Sequence, residues 1–207
     1  MGRSFRRVKQ SIPERRTVCV VVEGKKTEKN YFIDAKAEFD QRREGILTVI
    51  AASGGSASQI LDKSIKKATS EFDEVWCVLD ADTFGANSAD HQKLERAQRA
   101  KIKVIFSNPC FEVWHLLHFS NSHRSFHNCG KVKEAVEKRS DQFKSSKSMW
   151  HALREILNTG TPFENAAHVK KQHGIAPGSS CRENNCSTDV DEILIALGFG
   201  PSAPDRA

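Results

Sequence analysis

Two short apolar runs, each stopping at an acidic cluster, constrain this chain more than any other feature. The first, Thr17-Val-Cys-Val-Val-Val22, stops at Glu23-Gly24, and the second, Val75-Trp-Cys-Val-Leu79, stops at Asp80-Ala81-Asp82. Both are continuous rather than alternating and rich in β-branched residues, the pattern of strands buried on both faces. Helical periodicities lie between them, which predicts an α/β fold with a parallel sheet. Ligands of such sheets bind beyond the carboxyl ends of the strands. Three carboxylates gathered there repel one another unless a divalent cation neutralises them. Asp80 and Asp82 are two apart, so a strand continued through them turns both to one face. Glu23 joins them only if the first and third strands are neighbours. Magnesium (or manganese) suits this oxygen donor set, taking one or two carboxylates plus waters and substrate phosphates. Gly24 lets the backbone turn sharply and leaves room for a phosphate.

The rest of the chain alternates in the same way. Phe32, Ala35 and Phe39 recur at helical spacing after the first strand, with Thr27 as the candidate N-cap. Lys25 and Lys26 stand where that helix begins, a place that favours anions; they read either as phosphate contacts or as ordinary surface lysines. Glu28 faces the same region as an extra carboxylate. Ile46–Ile50 is a second strand, and the Gly54-Gly55 loop after it reads as a turn into a helix capped by Ser56 or Ser58. It is not a P-loop, because no Gly-Lys-Ser/Thr follows. A mobile loop after Asp82, a polar helix over 88–100 and a fourth strand over 101–106 follow. Ser107-Asn108-Pro109 is a turn, with Asn108 read as a helix cap or a substrate contact, and a helix opens at Phe111. Glu112 lies in its first turn, where a carboxylate complements the helix dipole. His115 and His118, among aromatics, read as packed core histidines. Helices are expected over 131–139, 147–157, 162–173 and 188–197, with many lysines that either line a nucleic-acid groove or simply face water.

Length and charge set bounds. The 207 residues suffice for one domain with an extension. No stretch reaches the roughly 18 apolar residues of a membrane span, and the basic N-terminus lacks the apolar run of a signal peptide. A cytoplasmic protein with mostly reduced cysteines is expected, Cys19 and Cys77 being small core residues. His123, His127, Cys129, Cys181 and Cys186 do not have the spacing of a standard zinc finger. The net charge of +6 permits an anionic partner. The first sixteen residues hold Arg3, Arg6, Arg7, Lys9, Arg15 and Arg16 against Glu14, a solvated arm or a tether to phosphates. The single tyrosine, Tyr31, falls in a core pattern, which argues against a topoisomerase nucleophile.

Glu23-Gly24 followed by Asp80-Ala81-Asp82 resembles the Toprim domain of topoisomerases, primases and overcoming-lysogenization-defect-type nucleases. Val21-Val-Glu-Gly-Lys-Lys-Thr-Glu-Lys-Asn-Tyr-Phe32 and Ser107-Asn-Pro-Cys-Phe-Glu-Val-Trp-His-Leu-Leu-His-Phe119 resemble the RloB-like family more narrowly. Asn185-Cys-Ser-Thr-Asp-Val190 is similar to that family's C-terminal Asn-Pro-Ser-Thr pattern, with Cys186 in place of the usual proline. The resemblance runs from about Thr17 to Leu197. It implies a Toprim-like (Rossmann-like) domain over 17–120 after a basic arm, 1–16, with a helical extension over 121–200 and a tail, 201–207. It also implies a magnesium-dependent nuclease of an anti-phage or restriction-linked defence system. Its substrate would be DNA or RNA, tRNA included, and an ATPase encoded nearby and a homodimer are the expected assemblies. Glu23 would serve as metal ligand or acid–base, Asp80 and Asp82 as metal ligands, Glu112 as an auxiliary carboxylate, and Gly24, Lys25, Lys26 and Asn108 on the substrate side. The other reading is a non-catalytic or ATPase-gated subunit, since the chain has no Walker motif of its own.

Overall fold

The structure, a computed structural model, describes residues 15–24, 26–43, 45–52, 55–68, 72–145 and 149–201. Most of the basic arm, the tail after 201 and Lys25 lie outside the described residues, and with them the readings placed there.

Alternating strands and helices build the first half: β1 (Arg16–Val22), α1 (Thr27–Gln41), β2 (Gly45–Ala51), α2 (Ala57–Ala68), β3 (Glu74–Asp80), α3 (Ala89–Arg99), β4 (Lys103–Asn108) and α4 (Glu112–Leu117). Then come α5 (Cys129–Glu137), α6 (Asp141–Ser145), α7 (Trp150–Asn158), α8 (Thr161–Gln172), β5 (Ser187–Thr188) and α9 (Val190–Ala196). The sheet order is β2-β1-β3-β4-β5. The first four strands are mutually parallel and β5 is antiparallel to β4. This is the α/β, Rossmann-like and Toprim-like arrangement that the sequence predicts.

The continuous apolar runs follow from burial on both faces. Val18, Val20, Val22, Trp76 and Val78 enter one core with residues of α1, α4, α5 and α7 to α9. Cys19, Val21, Val75, Cys77 and Leu79 enter the other, beneath α2 and α3. Successive side chains thus serve opposite cores, as the strand repeat requires. The first core joins residues on both sides of position 120, from Val18 to Phe199.

Several local expectations are corrected. β3 ends at Asp80, and Asp82 lies in the turn that follows. Thr27 is the first helical residue, and Lys26 before it makes no side-chain capping bond. Ser58 does not cap α2, because its hydroxyl bonds Asp90, and at the helix start the Gln59 side chain accepts from the Ser56 N–H at 3.1 Å. β5 replaces the start of the helix expected at 188. Its two residues are too few to show a period of two, and the Ser107 and Thr188 hydroxyls, 2.6 Å apart, fix it to β4.

Candidate functional site

The edge at the carboxyl ends of β1 and β3 collects the acids. β1 and β3 are hydrogen-bonded neighbours, with Val22 opposite Val78, so Glu23 and Asp80 adjoin. The Glu23 Oε2 accepts from the Asp80 N–H at 3.3 Å and from the Thr83 hydroxyl at 3.1 Å. The pleat carries Asp80 to the face of Trp76 and Val78, the side covered by α1 and α4. There its Oδ1 accepts from the Phe111 N–H at 2.9 Å. The first turns of α1 and α4 bring Glu28 and Glu112 to the same side, 7% and 4% exposed. Asp82, past the end of the pleat, is exposed, and its N–H donates to the Pro109 carbonyl at 3.2 Å. The site therefore has an inner half, the half-buried Asp80 with the buried Glu28 and Glu112, and a rim of Glu23 and Asp82.

These carboxylates act on one another. Burial, and then the charges of Glu28, Glu23, Glu112 and Asp82, hold the Asp80 carboxyl well above its ordinary range. Burial, with Glu112 and Glu23 beside it, pushes Glu28 up to about 7, although its own backbone N–H and Lys133 oppose the rise. Glu23 is raised by burial and by the nearby Asp82 and Asp90, against the bonds from Asp80 and Thr83. Burial raises Asp82, and Lys133 opposes it. Lys133 also stands 3.3 Å from the Glu112 Oε1. Carboxylates whose proton affinity is raised by burial and crowding are the pattern of a functional site, or of one that a cation neutralises.

Gly24 has a reason that the sequence did not show. A Cβ there would lie 1.6 Å from the Glu28 Oε2, so the absent side chain is the space that the Glu28 carboxylate fills. Glu28 itself was visible only as an extra acid near the helix start. Lys133 had no local signal at all, because its place depends on how α5 packs on α4. Asn108 does not cap α4; it is half-buried, and its amide donates to the Arg182 carbonyl. Lys26 is exposed. Burial pushes His115 down to about 3, and it is packed as expected, though both its ring nitrogens lack a partner. Tyr31 is buried, its hydroxyl taken by the Trp114 N–H at 2.7 Å.

The cysteines divide. Cys19, Cys77, Cys181 and Cys186 are buried free thiols, whereas Cys110 and Cys129 form a disulfide. Most are thus reduced, as expected, and the exception is the pair that the approach of the starts of α4 and α5 brings together. Among the described residues, Cys110, Glu112 and Cys129 are the ligand-type side chains whose donor atoms all lie within 4.8 Å of one another. Glu23, Asp80 and Asp82 are not drawn that close.

A cavity of about 440 Å³ is lined by Arg124, Lys131, Lys138, Arg139, Ser122 and Glu134 among others. Lys131 of α5 and Lys138 and Arg139 just after it line this cavity, and Lys133 of α5 lies beside Glu112. Among the described residues no helix is long and apolar enough to cross a membrane.

Comparison with known proteins places this arrangement. A search of curated proteins returned no match, and a search of solved structures returned none. The model of the RloB-like protein family matches residues 18–197, which takes in both acidic clusters, Glu112 and β5, and the chain belongs to that family.

Proposed function

We propose that this chain is a divalent-metal-dependent phosphodiesterase that cleaves nucleic acid, in the anti-phage or restriction-linked setting that the resemblance implies. The observation that carries the reading is the convergence of Asp80, Glu28 and Glu112 with Glu23 at the carboxyl edge, where the charges of Glu23 and Glu112 raise the proton affinity of both Asp80 and Glu28. An all-oxygen set of this kind fits Mg2+ or Mn2+. Glu23 and Asp80 would hold the cation, with Asp82 and Glu112 as auxiliary carboxylates. When bound, the cation would neutralise the acids, polarise a phosphoryl oxygen and acidify water.

The chain's own groups supply the rest. The Phe111 N–H fixes the orientation of Asp80. Glu28, held at about 7, exchanges a proton near neutral pH, which suits a general acid or base. Lys133 adds positive charge next to Glu112, and the basic cavity behind α5 offers a track for the phosphate backbone.

The test is cleavage of tRNA, single-stranded RNA, plasmid and linear DNA with Mg2+ or Mn2+, using wild type, Asp80→Asn and Glu23→Gln. Cleavage by wild type that chelator abolishes, with a loss of at least about 100-fold in both variants, is expected for groups that act on the reacting phosphate. No cleavage of any polymer, with Mn2+ binding intact, would overturn autonomous nuclease activity and leave a subunit gated by a partner such as an ATPase.

A further inference from the structure

We infer that Cys110, Cys129 and Glu112 form a second metal site, one for a thiophilic cation such as Zn2+, open when the two cysteines are reduced and closed by their disulfide. The inference does not rest on the nuclease reading, and its ligand chemistry differs from that of the carboxylate edge.

Three observations carry it. The donor atoms of the three residues already lie within 4.8 Å of one another. Cys110 is fully buried and Cys129 only partly so, which leaves a side for a cation to enter. Glu112 is 4% exposed, and its Oε2 points at the Cys129 sulfur, 3.4 Å away. In the disulfide that sulfur has no hydrogen to donate, so a buried carboxylate oxygen faces a group that cannot satisfy it. A bound cation would satisfy it.

The charges also balance. Two thiolates and a carboxylate carry three negative charges, and a divalent cation leaves one. Lys133, 3.3 Å from the other oxygen of Glu112, offsets that remainder. Thiolate ligands favour Zn2+ over Mg2+, and three protein ligands leave a fourth position for water. Reduction by a phosphine breaks the S–S bond, takes up water and yields two thiols and the phosphine oxide. Binding of the cation then releases the two thiol protons. Reoxidation by diamide takes two electrons and two protons from the thiols, re-forms the bond and gives the hydrazine.

Co2+ is the probe, because thiolate coordination gives a sulfur-to-cobalt charge-transfer band. The reduced full chain, freed of phosphine, is expected to develop that band with one equivalent of Co2+ and to lose it when Zn2+ is added. The diamide-oxidised chain should show no band. Asp80→Asn should keep it, and Cys110→Ser and Cys129→Ser should lose it. Circular dichroism checks the folding of each variant, and the oxidised wild type provides the same comparison without any substitution. A reduced wild type with no thiolate band, or a band that survives oxidation or either serine substitution, would overturn the site.

Discussion

Gly24 and Glu28 show how one residue's absent side chain sets another's chemistry. The Glu28 carboxylate occupies the space of a Gly24 Cβ, so Gly24→Ala must expel it. The displaced atoms are the far end of a flexible side chain, and the fold should survive: a melting temperature lowered by at most about 4 °C, or about 1 kcal/mol. Cleavage should fall by about 100-fold, the scale of a misplaced group at a reacting centre. Glu28 also predicts a pH dependence. Glu112 and Glu23 face it and raise its proton affinity, Lys133 lowers it, and burial is the largest cause of the rise from 4.5 to about 7. The folded chain therefore binds more protons than the unfolded chain between those values, and stability falls as pH rises through that window. In chelator, urea unfolding should lose about 3 kcal/mol from pH 4.5 to 7.5. Glu28→Gln should flatten this slope. Asp80 and Asp191, also raised, add in the same direction. Glu38, held down at about 2 by the Arg154 and Arg42 guanidiniums, titrates below the window.

Among the elements, α5 serves two sides. Its buried Val132 and Val136 join the first core, Lys133 faces the acids, and Lys131, with Lys138 and Arg139 just past its end, lines the basic cavity. If that cavity carries nucleic acid, reversing charge there removes phosphate contacts without touching the carboxylates. The Lys138→Glu, Arg139→Glu double variant should lower affinity for single-stranded nucleic acid. Its plot of log affinity against log salt should flatten by about 1.4, the loss of two contacts. Filter binding across a salt series, in chelator, measures this. An unchanged slope would assign the cavity to solvent. The turn after β3 is likewise set by a neighbouring element: Asp90 of α3 accepts from the Gly85 N–H at 2.9 Å and the Asn87 N–H at 3.3 Å. The loop expected to be mobile is thus hydrogen-bonded beside Asp82.

At the scale of the whole molecule, the last third of the chain completes the sheet. β5 covers the edge of β4, and Asp189 joins the Phe106 N–H at 3.4 Å and the Cys181 N–H at 3.1 Å. Lys170 of α8 lies 3.3 Å from Asp189, 2.9 Å from Asp191 and 3.3 Å from Glu192. Asp189 and Asp191 are nearly buried, so removing the cation leaves carboxylates without a counter-charge. Lys170→Met should cost about 3–5 kcal/mol in urea unfolding. It should also loosen β5 and α9, read as faster amide exchange there than in β1.

The sequence by itself determined the strands, the helices between them and the acids at the strand ends. These follow from local rules: a period of 3.6 or of 2, and a run apolar enough to be buried on both sides. Glu23 and Asp80 were legible because both acids stand at strand ends, and Glu112 because it opens a helix at the same edge. Only the tertiary structure decided that β1 lies against β3, which makes Glu23 and Asp80 neighbours. It placed Asp82 at the rim because the pleat stops at Asp80, and a turn does not keep the alternation of a strand. It chose Glu28, Lys133 and the Cys110–Cys129 pair, whose positions depend on how α1, α4 and α5 pack, contacts between residues up to about a hundred positions apart that no local period encodes.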